Sequence, residues 1–184
     1  MRTLTNVILV CCLVFSIAPM VRGSSITENL KIYFDHDVLE PVQELLCGAR
    51  EEILIEMFSF TNYLPIINTI QSVRSRQDNN VEIRIILDNQ GANDPLKKDG
   101  TGFPEETLEK AYHCQIRWRN ESKQSHRKLA LVDNERIFIG STNWSKNGFE
   151  LNDEASVIFT DKVIGKQIRD EFDKDWLRSV DIYP

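Results

Sequence analysis

The chain has 184 residues, 41% of them hydrophobic, with 22 basic and 28 acidic side chains and a formal net charge of −6. That size and apolar content fit one domain around a single core, and no dominant residue type or heptad pattern points to disorder, collagen or coiled coil. The negative balance excludes a protein that coats nucleic acid by bulk charge, so any polyanion must be met by a local basic site.

Residues 1–23 are read apart from the fold. Arg2 opens the segment, residues 7–20 are largely apolar with Ser16 and Pro19 as interruptions, and Val21-Arg22-Gly23 follows. This is the layout of a cleaved signal peptide. As a helix the apolar stretch would reach about 21 Å, short of the ~30 Å hydrocarbon core. The expectation is a secreted or periplasmic domain over residues 24–184; the rival is an N-terminal anchor that holds the same domain on a membrane. Cys11 and Cys12 lie in the leader, which leaves Cys47 and Cys114 either as one disulfide or as two buried thiols.

Lys31–Phe34 reads as a short strand, and residues 38–49 have helical spacing through Val38, Val42, Leu45 and Leu46. Residues 53–60 (ILIEMFSF) form a buried strand pattern. Residues 64–75 carry Ile66, Ile67, Ile70 and Val73 at helical intervals, and residues 81–87 (VEIRIIL) are the next strand. This βαβαβ opening predicts an α/β fold: a mixed, largely parallel sheet with helices on both faces. Residues 89–104, rich in Gly, Pro, Asn and Asp, break the pattern as a long loop. A short helix over 105–113, a strand at Gln115–Trp118, paired strands at Lys128–Val132 and 136–139, and a last strand at Ala155–Thr160 follow. Thr160 is the expected cap of a closing helix in which Ile164, Ile168, Phe172 and Trp176 recur every four residues. No internal repeat is present.

One segment stands apart: Ser125-His126-Arg127-Lys128 leading through Asp133 to Gly140-Ser141-Thr142-Asn143. Residues two apart on a strand face the same side, so His126 and Lys128 project together while Leu129 and Leu131 turn to the other face. An antiparallel return would bring Ser141 and Asn143 near His126. An imidazole held by a carboxylate can act as a nucleophile, and Lys128, Ser141 and Asn143 are fit donors for phosphate oxygens. Glu154 is the carboxylate expected behind His126. Metal chemistry is a weaker reading, because Lys128 would repel a cation beside His126, and no Cys/His spacing suggests zinc.

The spacing His126-x-Lys128-x4-Asp133-x6-Gly140-Ser141-x-Asn143 resembles the signature of the phospholipase D superfamily at every signature position. The single-motif members are also resembled by residues 56–61, 81–88 and 152–154. The resemblance implies a phospholipase D-like α-β-α sandwich and a phosphohistidine formed on His126. It also implies that Lys128 and Asn143, with Ser141 nearby, hold the non-bridging oxygens, that Asp133 orients the motif, and that Glu154 bonds the catalytic imidazole. No cofactor is implied. Two such histidines are needed, one as nucleophile and one as general acid, and this chain has one motif. A homodimer with His126 from each subunit is therefore expected.

Nucleic acid and phospholipid both remain as substrates. Arg117, Arg119, Lys123, Arg127 and Lys128 form a local basic run, with Trp118 and Trp144 available for stacking and Lys97 and Lys98 nearby. Arg127, Lys123 and Trp144 are accordingly the expected substrate-binding residues. The loop residues Leu96 and Phe103 are the corresponding argument for a lipid. The basic run favours nucleic acid by a small margin, and a non-catalytic phosphate-binding dimer is the alternative outside enzymes.

Overall fold

Two apolar strands, each preceded by an amphipathic helix, set the first half of the sheet. The structure, a computed structural model, describes residues 29–76, 81–89 and 102–182. Its strands are β1 (Lys31–Phe34), β2 (Glu52–Met57), β3 (Glu82–Leu87), β4 (Gln115–Trp118), β5 (Lys128–Val132), β6 (Arg136–Gly140) and β7 (Ala155–Thr160). They form one sheet in the order β1-β7-β6-β5-β2-β3-β4. β2 and β3 are apolar almost throughout because both of their faces are covered, and they pair in parallel, as do β3 and β4. β5 then returns antiparallel against β2, and β6, β7 and β1 continue antiparallel. Five of the seven described strands thus point the same way, although four of the six neighbouring pairs are antiparallel.

Helices α1 (Leu39–Cys47) and α2 (Leu64–Arg74) cover one face, over Ile53, Ile55, Ile83 and Ile85. Helix α4 (Lys162–Arg178) covers the other, through Ile164, Ile168, Phe172 and Trp176 on Leu54, Ile86, Leu131 and Ile137. The alternation of side chains along each strand divides these two cores. The carboxyl ends of β2, β3, β4 and β6 meet the amino ends of β5 and β7 at one edge, where α/β sheets hold their ligands.

Local departures from the sequence reading have simple causes. The first helical segment begins as a 3-10 turn, Asp35–Val38, before α1. β2 ends at Met57, three residues short of the expected bound, and its pairing with the segment before β5 runs one step further through the Phe58 N–H, which donates to the Arg127 carbonyl at 2.9 Å. The expected short helix is a π-type turn, Thr107–Ala111. Asp161, not Thr160, caps α4: its carboxylate accepts from Val163 N and Ile164 N at 2.8 and 2.9 Å, while Thr160 is still paired in β7. A further short helix, α3 (Lys146–Glu150), is capped by Ser145. The leader and residues 90–101 of the long loop, with Leu96, Lys97 and Lys98, lie outside the described residues. Cys47 is free and exposed; Cys114 is free and buried, and burial pushes its thiol up to about 12. Among the described residues no helix is long and apolar enough to cross a membrane.

Asp133 closes β5 in the left-handed region, with φ 50°. Its carboxylate accepts from the backbone N–H of Arg50 at 3.1 Å, Glu51 at 2.9 Å and Glu52 at 3.2 Å, and from Arg136 at 2.7 Å. It thereby ties the start of β2 to the end of β5. Asp133→Ala would strand those donors and is expected to cost about 2–4 kcal/mol, read as a lower denaturant midpoint; an unchanged midpoint would remove this role.

Candidate active site

β5 starts with Lys128 opposite Met57 in β2, so the three residues before it run out over the carboxyl ends of β2 and β3. Lys128 is only 4% exposed. A buried ammonium needs partners. Nζ lies 3.0 Å from His126 Nδ1 and 2.9 Å from the His126 carbonyl, and it stands 4.7 Å over the Phe58 ring. Burial lowers the Lys128 pKa from its ordinary value, and the charge of Glu154 opposes that shift. The His126 ring is exposed on its other side and packs at 4.5 Å against Phe58. An ammonium that donates to Nδ1 requires a lone pair there, which leaves the neutral ring's proton on Nε2.

Ser141 follows β6, and Glu154 precedes β7. The Ser141 hydroxyl donates to the Glu154 carboxylate and accepts from Ala155 N at 3.0 Å, and Asn152 donates to Glu154 at 3.1 Å. This corrects the expectation that Glu154 bonds His126: Lys128 meets the imidazole, and Glu154 is bonded to Ser141. The reason is topological. β6 lies between β5 and β7, so Ser141 at the end of β6 intercepts the carboxylate. Gly140 permits this crossing, because a Cβ there would collide with the Ser156 hydroxyl and the Ala155 carbonyl. Asn143 comes next, with Oδ1 buried and without a partner among the described residues. Its carboxamide oxygen is thus a buried acceptor whose hydrogen-bonding capacity is unmet, and which of the two amide atoms stands there is an assignment that a flip would exchange.

The expected substrate-binding residues separate. Arg127 has the other strand parity and turns towards α4, where it donates to Glu56 at 2.9 Å and to Asp175. Trp144 is fully buried against Phe60 and Phe138, and Trp118 is equally buried, so neither can stack on a base. Arg117 pairs with Asp181 at 2.8 Å and lies over Trp176, while Arg119 pairs with Glu56, Asp175 and Glu121. Lys123 is exposed in the loop before Ser125. Phe103, read as a lipid contact, is 3% exposed and packs edge-on to Phe60 and Trp118. The residues that sequence reasoning missed are Glu56, Phe58, Asp88 and Asp175. Glu56 alone left a local signal, as a charge inside the apolar run of β2.

His126 and Lys128 are among the residues lining a groove of about 440 Å³, whose apolar walls are Leu129 and Ile139 from the sheet and Ile164, Ile168 and Phe172 from α4. His36 and His113 are elsewhere. His36 follows β1, three strand spacings or about 14 Å from β5. His113 precedes the amino end of β4, at the opposite edge of the sheet.

Together the sheet and the imidazole–ammonium pair define an α/β domain with a buried ammonium against an exposed imidazole at the carboxyl ends of its strands. The family model described as "Cardiolipin synthase, PLD-like domain" matches residues 42–176, and the chain belongs to that phospholipase D-like family. It is 30% identical over 131 residues to the mitochondrial cardiolipin hydrolase of Xenopus laevis, covering 71% of this chain and 57% of that protein. Over 150 residues it is 27% identical to the Xenopus tropicalis protein of the same name, covering 76% of this chain and 64% of the relative. The chain thus spans about three fifths of the length of these relatives. Its fold is similar to NucT from Helicobacter pylori, with a TM-score of 0.66, 24% identity, and 83% and 99% of the two chains covered. It is also similar to the phospholipase D family member Nuc from Salmonella typhimurium, with a TM-score of 0.69, 16% identity, and 84% and 99% covered.

The lowered Lys128 pKa gives a signed test. The ammonium attracts an anion below its folded pKa and loses that attraction as pH rises through it. Affinity for inorganic phosphate, followed by NMR of the His126 ring, is therefore expected to decline before the ordinary lysine value of about 10.4 is reached. In Lys128→Arg that decline should move to higher pH. A decline at the same pH in both proteins would exclude Lys128 as the titrating group.

Proposed function

We propose that this chain hydrolyses phosphodiesters without a metal, through a covalent phosphohistidine on His126. The observation that carries the reading is the buried Lys128 ammonium 3.0 Å from an exposed imidazole. A phosphodiester entering the site gives Lys128 and Asn143 its non-bridging oxygens to hold. Lys128 then releases Nδ1, the ring proton moves there from Nε2 through solvent, and the Nε2 lone pair faces phosphorus. The Nε2–P bond forms as the P–O bond to the leaving group breaks, and an acid supplies that oxygen with a proton. Water then attacks phosphorus, gives up its proton to the same group, and the P–N bond breaks. Glu154, bonded to Ser141, favours the charged form of Lys128 throughout.

No second imidazole within reach of His126 is found among the described residues, so the acid is proposed to be His126 of a second copy in a two-fold homodimer. Export through residues 1–23 belongs to the same proposal. For the substrate, the apolar groove beside the nucleophile supports a phospholipid, one substituent of which would lie along Ile139 and Ile168. A nucleic acid is the second reading, favoured by Lys123 on the surface of the loop that carries His126.

Turnover of bis(p-nitrophenyl) phosphate is expected to survive EDTA, to vanish in His126→Ala, and to fall by about 10²–10³ in Lys128→Ala. Loss in EDTA, or retention in His126→Ala, would overturn the mechanism. Excess His126→Ala subunits mixed with wild type should quench turnover beyond dilution; simple dilution would exclude a shared site. Cardiolipin and phosphatidylcholine vesicles, single-stranded DNA and RNA are the competing substrates. In Ile139→Asp the ratio of vesicle hydrolysis to bis(p-nitrophenyl) phosphate turnover should drop by about tenfold. A preference for DNA or RNA with that ratio unmoved would favour the second reading.

A further inference from the structure

We infer that the buried carboxylates Glu56 and Asp175, linked by Arg119 and Arg127, are positioning residues that fix the tripeptide Ser125-His126-Arg127 and hence the His126 ring. This rests on the reading of His126 as the nucleophile.

Glu56 and Asp175 are 2% and 1% exposed. Arg119 Nη1 lies 3.5 Å from Glu56 and 3.1 Å from Asp175, and Arg127 Nη1 bridges the same two carboxylates. The four groups alternate in sign, which is the arrangement that makes burial of two carboxylates tolerable. Burial works against the Arg127 charge, but the hydrogen bond and charge of Glu56, followed by those of Asp175, hold it more firmly charged than usual. A cluster of this kind gives little net stability over apolar residues of the same shape, so its placement matters more than its energy.

The placement is on either side of His126. Ser125 donates its hydroxyl to Glu56 at 2.8 Å and its N–H to Asp88 at 2.7 Å. Arg127 donates its side chain to Glu56 and Asp175, while its carbonyl accepts from Phe58 N at 2.9 Å. Each neighbour of His126 is therefore held by both backbone and side chain, and Glu56 takes a hydrogen bond from each of them. The imidazole itself has only Lys128 and the Phe58 ring as described partners, and Lys128 must leave Nδ1 when a phosphate arrives. At that moment the ring's place depends on the fixed backbone on both sides of it. A displacement of about 1 Å at a reacting atom can cost about 10²-fold in rate.

The experiment compares Ser125→Ala and Glu56→Gln with the wild-type chain. Ser125→Ala removes one hydrogen bond to the cluster and is expected to lower kcat about tenfold with KM and melting temperature nearly unchanged. Glu56→Gln keeps the shape but not the charge, and should lower kcat about 100-fold, with single-turnover phosphohistidine formation slowed to the same extent. Normal kcat in both variants, or a loss confined to melting temperature or KM, would overturn the positioning role. If the wild-type chain itself turned over no phosphodiester, the proposed function would fail. The His126 ring signals in NMR would then decide the present inference. One set in wild type and doubled or broadened sets in Glu56→Gln are expected, and identical spectra would refute it.

Discussion

The seam between β2 and β5 carries the rest of the structure. It is where the sheet changes from parallel to antiparallel, and it places the amino end of β5 beside the carboxyl ends of β2 and β3. Carboxylates hold it at both ends: Asp133 gathers the backbone N–H groups of residues 50–52, and Glu56 gathers Ser125 and Arg127. Between these two ties the strands are apolar and buried, so the register admits no slip without turning every side chain to the wrong face. The distance from Asp133 to His126 along the chain is therefore a structural constant, and the motif spacing expresses a strand length.

In an acidic domain the field at one side chain is still set locally. Lys128 is almost fully buried, and Glu154 favours its charge through space without bonding it directly. The arginines of the same sequence neighbourhood do not add to this field. Arg117, Arg119 and Arg127 are already neutralised by Asp181, Glu56, Asp175 and Glu121 on the α4 side. What reads as a basic run in one dimension is divided by the fold into one buried ammonium, the exposed Lys123 and a set of arginine–carboxylate pairs.

The same division explains what the amino-acid sequence made legible. Every strand was visible as an apolar run or an alternation, because burial on one or both faces is a local pattern. So was the pairing of His126 with Lys128, which needs only a period of two. The Glu154–Ser141 bond was not visible, since it depends on β6 lying between β5 and β7, a long-range fact. Trp144 was misread because an aromatic beside a motif carries no mark of whether it faces solvent or core. The cap of α4 fell one residue later than expected, since Thr160 and Asp161 are both good caps and only the pairing of Thr160 with Arg136 decides between them. Asp175 was hidden in a helix whose spacing was read from its apolar residues alone.

Helix α4 joins these layers. Through Ile164, Ile168 and Phe172 it forms one wall of the groove that His126 also lines, and one turn further on Asp175 binds Arg119 and Arg127, the second of which is the neighbour of His126. Both functions sit on a single rigid element that also closes one of the two cores. A group that fills the groove therefore presses on the same helix that anchors the tripeptide, and substitutions in the groove and in the ion cluster should not act independently. The apolar wall and the buried charges are in this sense one construction, which ties the shape of the groove to the orientation of the His126 ring.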